Sequence, residues 1–149
     1  MTMTRFRLRP PAPERQRGAA AIEFALVFVL FFMVLYGAIA YGVVFAIKHS
    51  LTQGAAEGAR AALKDVGGLP ERIALAQTTA TNAVSWLGTG APAPIVTSGP
   101  CEATSYTCIK VAFTYDYATS PIVPPIPSLG IVLPDTLVSQ ATVQLDAID

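Results

Sequence analysis

The residues with the clearest chemical possibility lie together near the N-terminus: Gly18-Ala19-Ala20-Ala21-Ile22-Glu23-Phe24. Small residues flank the Gly18–Ala19 bond, so an extended segment could enter a narrow peptidase site there. A cut at that bond would leave Ala19 as a new N-terminus and Glu23 as the fifth residue of the shortened chain. A carboxylate inside an apolar helix is costly and calls for a partner. The new α-amino group of a neighbouring subunit is one candidate, and such a pairing would set the register of one copy against the next. The alternative is that Glu23 lies in a headgroup region one turn into the helix, where an acid also suits the positive helix N-terminus.

The element that carries these residues is an apolar run. Ala19 to Ile47 spans 29 residues with one charge, Glu23. At ~1.5 Å per residue it is roughly 43 Å long, against a hydrocarbon core of ~30 Å. It is too long for the apolar part of a secretory signal, and no small-residue cleavage site follows it, so it reads as a retained transmembrane helix. Much of the chain's 52% hydrophobic content and mean hydropathy of +0.49 is concentrated there.

The net charge of zero conceals an asymmetry. Residues 1–18 carry Arg5, Arg7, Arg9, Arg15 and Arg17 against Glu14, a balance of +4; residues 19–149 carry five basic and nine acidic groups, a balance of −4. Basic flanks stay on the cytoplasmic side, which predicts an internal N-terminus and an external C-terminal part. No basic patch with interleaved aromatics occurs, so no nucleic-acid partner is expected.

Residues 1–17 are rich in Arg and Pro and offer little to bury. Past the membrane exit at Lys48 and His49, Ser50 to Lys64 is alanine-rich and free of proline. The helix is expected to continue there as an amphipathic rod, with Leu51, Ala55, Ala59, Ala62 and Leu63 near one side and a stop at Gly67-Gly68. A second helix is expected from Pro70 to about Leu87, with Pro70 and Glu71 suited to its first turn. Strands are expected at 95–98, 109–117 and 137–145. In the second, Ile109, Val111, Phe113, Tyr115 and Tyr117 share a face; in the third, Leu137, Ser139, Ala141, Val143 and Leu145 do. The proline-dense stretch 120–134 between them cannot be a central strand.

The predicted fold class is therefore α+β: a long N-terminal transmembrane helix continuing into an amphipathic helix, a second helix, and an antiparallel sheet of about three strands. The predicted organisation is a basic leader at 1–18, a transmembrane helix at 19–47, a helix extension at 48–66 and a small external domain at 67–149.

Cys101 and Cys108 fall in the exported part. In an oxidising compartment they are expected to form a disulfide closing an eight-residue loop, worth roughly 2.5 kcal/mol on chain-entropy grounds. A two-cysteine metal site is the rival; it lacks a third ligand, since the only histidine is His49 at the membrane exit. No metal or cofactor is expected. Serines and threonines have no histidine base within an argued constellation, so no enzymatic activity is expected either. Gly54 and Gly58 form a small-xxx-small pair that allows close helix approach, for local packing or for another helix. Glu57 and Arg60, three apart, are placed to pair on the helix surface. Trp86, Tyr36 and Tyr41 read as core residues or interfacial anchors.

Arg17-Gly18-Ala19-Ala20-Ala21-Ile22-Glu23-Phe24-Ala25-Leu26 resembles the start of the TadE-like family, the pseudopilins of tight-adherence (Flp) pili. Ala55-Ala56-Glu57-Gly58-Ala59-Arg60-Ala61-Ala62 is similar to that family's second recurrent signature. The pattern Val111 to Tyr117, followed by prolines and a final strand, is also similar. The resemblance is specific over residues 15–65 and loose beyond them. Phe24 departs from the tyrosine that many pilin-like signals carry. The resemblance implies a prepilin-type processing site at Gly18 and Ala19, with Glu23 and Phe24 serving assembly. It implies a prepilin peptidase, other pilins or pseudopilins, the pilus assembly platform and membrane lipid as partners. It places the protein in the bacterial inner membrane, crossing once, with the C-terminal domain in the periplasm. The alternative is an unprocessed single-pass protein whose periplasmic domain binds a ligand or envelope partner.

Overall fold

A long run without an internal proline allows one continuous helix. In the computed structural model, which describes residues 17–101, 106–124 and 133–145, helix α1 runs Arg17–Ala61, 45 residues. The leader through Gln16 and residues 125–132 of the proline-dense connection lie outside the described residues. The chain divides into two compact units, Met1–Ala38 and Ile39–Asp149.

In the first unit, the large apolar side chains of α1 from Ile22 to Leu35 are all exposed. Phe24, Phe28 and Phe32, spaced one turn apart, stack with ring centroids 5.8 and 6.2 Å apart. Exposed apolar surface on this scale calls for lipid or another apolar partner. The helix is long and apolar enough to cross a membrane.

In the second unit α1 acquires a buried stripe. Ala40, Val44, Ile47, Leu51, Ala55, Ala59 and Ala62 all lie below a tenth exposed, at steps of three and four residues that keep them on one face. The helix ends at Ala61, short of the expected stop near Gly67, and its last turn tightens. Leu63 N–H donates to Arg60 O, and Lys64 N–H donates to Ala61 O, both at 3.1 Å; such i→i+3 bonds commonly close a helix. Leu63 therefore leaves the stripe and is exposed. Gly67 then takes a positive φ of 113°, which its lack of a Cβ permits.

Helix α2, Leu69–Ala83, begins with Pro70 and Glu71 in its first turn. It stops four residues before the expected Leu87, giving way at Val84 to a 3-10 segment, Ser85–Gly90, that breaks at Gly88 with φ 63°. Ala76, Ala80 and Val84 are fully buried.

Three antiparallel strands follow in the order β1-β2-β3: β1 Ile95–Pro100, β2 Thr107–Asp116 and β3 Thr136–Leu145. The expected alternation is present in β2, where Ile109, Val111, Phe113 and Tyr115 face the core along with Tyr117 just beyond. The β2–β3 register sets Val111 opposite Ala141 and Phe113 opposite Ser139, so the core-facing residues of both strands share a side. The architecture is α+β, with the stripe of α1 and the small residues of α2 packed on one face of the sheet.

Candidate processing site and helix-packing surface

Gly18, Ala19, Glu23 and Phe24 all lie in the first two turns of α1. A Cβ added to Gly18 would meet no atom within 4 Å, so the fold itself gives no packing reason for glycine there. Ala19 and Glu23 are one turn apart and share a face. Glu23 is exposed and has no hydrogen bond or ion pair among the described residues. Phe24 is 69% exposed and touches Phe28. The Gly18–Ala19 bond lies in the first described turn of α1.

Gly54 and Gly58 lie farther along α1, where the second unit packs tightest. A Cβ on Gly58 would stand 2.8 Å from Ala80 Cβ and 2.9 Å from Ala76 O. On Gly54 it would stand 3.2 Å from Val84 Cγ1 and 3.3 Å from a ring carbon of Phe113. The two glycines, with Ala76 and Ala80 opposite, let α1 and α2 approach closely within the chain. Glu57 and Arg60 take no part in this contact: both are exposed and no ion pair joins them. They fall off the buried stripe, and water competes well for an exposed pair.

Several polar contacts were not legible in advance. Arg72 spans the α1–α2 turn, with Nη1 donating to Ala62 O at 3.2 Å, Nε to Gly67 O at 3.4 Å and Nη2 reaching Asp65 Oδ1 at 3.2 Å. A guanidinium beside the last carbonyls of α1 satisfies orphan acceptors and opposes the helix dipole. Lys48 donates from Nζ to Val138 O on β3. The Thr52 and Ser139 hydroxyls lie 3.1 Å apart, which satisfies Ser139, a buried polar side chain on the sheet. Trp86 is not a core residue: it is 55% exposed, and its indole N–H donates to Ser50 Oγ at 3.0 Å. Nothing in the spacing of Arg72, Thr52 or Trp86 signals partners so far along the chain.

Cys101 and Cys108 are joined by a disulfide with Cα atoms 5.0 Å apart. It crosses the β1–β2 turn, where Cys108 pairs with Gly99 and Cys101 N–H donates to Tyr106 O at 3.0 Å. Among the described residues no group of three His, Cys, Asp or Glu side chains could hold a metal. At the other end of β2, Tyr115 OH donates to Ser120 O at 2.6 Å. Burial, and then the neighbouring Tyr117, push the Tyr115 phenol above its ordinary pKa. The Tyr117 hydroxyl is buried and has no hydrogen-bond partner among the described residues.

This geometry is an exposed glycine-to-glutamate motif heading an apolar helix, whose far end is packed through two further glycines. A family model described as TadE-like protein matches residues 18–60. Over that segment the chain is similar to the TadE-like family. The match starts at Gly18 and ends at Arg60, so it takes in the first quoted signature from Gly18 to Leu26 and the second from Ala55 to Arg60. No curated protein and no solved structure matches the chain. A TadE-like segment together with one membrane-capable helix fits a membrane-anchored, pilus-associated protein.

Proposed function

We propose that this protein is a pseudopilin-like component of an adhesive tight-adherence pilus, held in the inner membrane by α1 and processed after Gly18. The TadE-like match over residues 18–60 carries this reading, because it covers both the processing motif and the packed glycines of the helix extension. The exposed, unpacked Gly18 supports it, since a glycine without a role in the fold has one if a peptidase must read it. The arginine-rich leader keeps the N-terminus in the cytoplasm and sends residues 48–149 to the periplasm. A disulfide suits that compartment.

After cleavage, the α-amino group of Ala19 and the Glu23 carboxylate carry opposite charges on one helix face. Pairing between the amino group of one subunit and the carboxylate of the next satisfies both in an apolar setting and fixes the axial register of adjacent helices. Its partners are then the prepilin peptidase, other pilins or pseudopilins, and the assembly platform.

The test is the N-terminal mass of the protein from cells with and without the prepilin peptidase. Loss of residues 1–18 only when the peptidase is present is the expected result. An intact N-terminus in both strains favours an unprocessed single-pass protein with a ligand-binding periplasmic domain. A reporter fused after Asp149 that fluoresces only in the cytoplasm should stay dark.

A further inference from the structure

The apolar run of α1 extends to Ile47, yet its last turns already belong to the core of the second unit. Val44 and Ile47 are 6% and 0% exposed, whereas Phe45, on the same turn, is 68% exposed. A phenyl group left so open beside a membrane exit marks that turn as lying at the height of the lipid. The elements that cover Val44 and Ile47 stand at that height too.

Two elements lead the chain back to this end. α2 runs antiparallel to the second half of α1: Ala76 and Ala80 face Gly58, Ala83 and Val84 face Gly54, and Trp86 reaches Ser50. β2 runs the same way, with Val111 beside Gly58 and Phe113 beside Gly54. Beyond Phe113, Tyr115 OH holds Ser120 O, and Gly90 lies under that same hydroxyl. The 3-10 segment and the start of the β2–β3 connection therefore meet at the end nearest the membrane exit.

The segments that meet here carry no charge of their own, and Asp116 and Asp135 stand at the margins of the connection. No charged residue occurs between Arg72 and Glu102, or between Asp116 and Asp135. The exposed large side chains at this end are Trp86 at 55% and Ile122 at 48%. Ser50, which holds the indole, lies three residues past Ile47, or ~4.5 Å along a helix. The headgroup layer on each side of a bilayer is roughly 5–7 Å deep. Tryptophan favours that layer, and here its one polar group already has a partner in Ser50, which leaves the ring faces for lipid.

We propose that the 3-10 segment and the start of the β2–β3 connection form a lipid-contact surface, with Trp86 and Ile122 seated in the headgroup layer of the bilayer that α1 crosses. The inference rests on the reading of α1 as a membrane span. Its consequence is that the folded unit lies against the membrane instead of standing clear of it.

Trp86 is the only tryptophan in the chain, so its fluorescence reports this surface without substitution. The full chain is reconstituted into phosphatidylcholine vesicles, floated on a density gradient, and titrated with iodide or with lipid carrying a nitroxide on its headgroup. The expected result is co-flotation, strong quenching by the headgroup nitroxide, and iodide quenching several-fold weaker than that of free N-acetyltryptophanamide. Trp86→Phe combined with Ile122→Trp moves the reporter to the connection and should give the same pattern. Co-flotation with full iodide quenching and no nitroxide quenching at either position overturns the lipid-contact surface and leaves the membrane span intact. Failure to float overturns both.

Discussion

Gly58 of α1 and Ala80 of α2 are packed so closely that a methyl on the first would stand 2.8 Å from the methyl of the second. The nearby Ala76 carbonyl, at 2.9 Å, is backbone and cannot turn aside. Gly58→Ala should therefore destabilise the folded unit by about 1–3 kcal/mol, as overpacking does. Gly54→Ala should cost less, because its near neighbours are side chains at 3.2 to 3.4 Å and the helix gains up to ~1 kcal/mol from replacing glycine. Denaturant unfolding of the full chain in detergent checks the order; equal effects at the two positions would remove the close-contact explanation.

Gly18→Leu should block processing while leaving the folded unit's stability unchanged. The space around Gly18 is open, so leucine strains nothing in the chain itself. N-terminal mass reads the first effect and the unfolding midpoint the second. A correctly shortened Gly18→Leu protein would show that the peptidase does not read this residue.

Glu23→Ala should insert normally and fail in assembly. The substitution makes the helix more apolar, so the anchor survives, and among the described residues Glu23 has no hydrogen bond or ion pair whose loss could unfold the chain. Normal piliation and adhesion by Glu23→Ala cells would return Glu23 to a simple headgroup or helix-end role.

Cys101→Ser should lower stability by about 1–3 kcal/mol, the scale of a bridge closing a short loop. The bond spans seven positions across one hairpin, so its effect is confined to the β1–β2 end of the sheet. Insertion and cleavage at Gly18 should be unaffected. Thiol labelling of denatured, unreduced protein from cells checks the bond; full labelling of both cysteines would mean it does not form there.

Tyr115 should make the folded unit sensitive to alkali. Its pKa is raised in the fold, first by burial and then by Tyr117, so the folded state holds the phenolic proton more tightly than the unfolded chain does. That contribution is complete below the ordinary tyrosine pKa of about 10 and is lost as pH rises through the folded value. Tyr115→Phe should flatten this alkaline loss, at a cost of about 1 kcal/mol at neutral pH for the hydrogen bond to Ser120. An unchanged slope above pH 10 would assign the alkaline loss elsewhere.

Alternation made the sheet legible. Ile109, Val111, Phe113, Tyr115 and Tyr117 carry a period of two that only a half-buried strand explains, and all five are buried. The stripe of Leu51, Ala55, Ala59 and Ala62 was legible for the same reason at helical spacing. The division of the apolar run was not. Val44 and Ile47 serve a protein core, and Ile39 and Phe45 are exposed, yet all four are ordinary apolar residues. Lipid and protein interior select the same side chains, so composition cannot say where one gives way to the other. The early end of α1 was also hidden, because the Arg72 guanidinium that donates to Ala62 O lies ten residues on. Of the candidate sites, Gly18 to Glu23 stands out in the sequence because a spacing defines it. Trp86 was left between core and interface because a lone aromatic carries no period.

The Lys48–Val138 hydrogen bond joins residues 90 positions apart. A chain delivered across a membrane from its N-terminal side presents Lys48 early and Val138 almost last. On the proposed topology the stripe of α1 waits, uncovered, until α2 and then β2 have crossed, and the Lys48 contact with β3 closes last, because closing so large a loop is slow compared with the hairpin between Cys101 and Cys108. The stripe that waits is mostly alanine beyond Leu51. Methyl groups offer an off-target chain little to grip, so on the proposed route the smallness of these side chains guards the waiting stripe against aggregation.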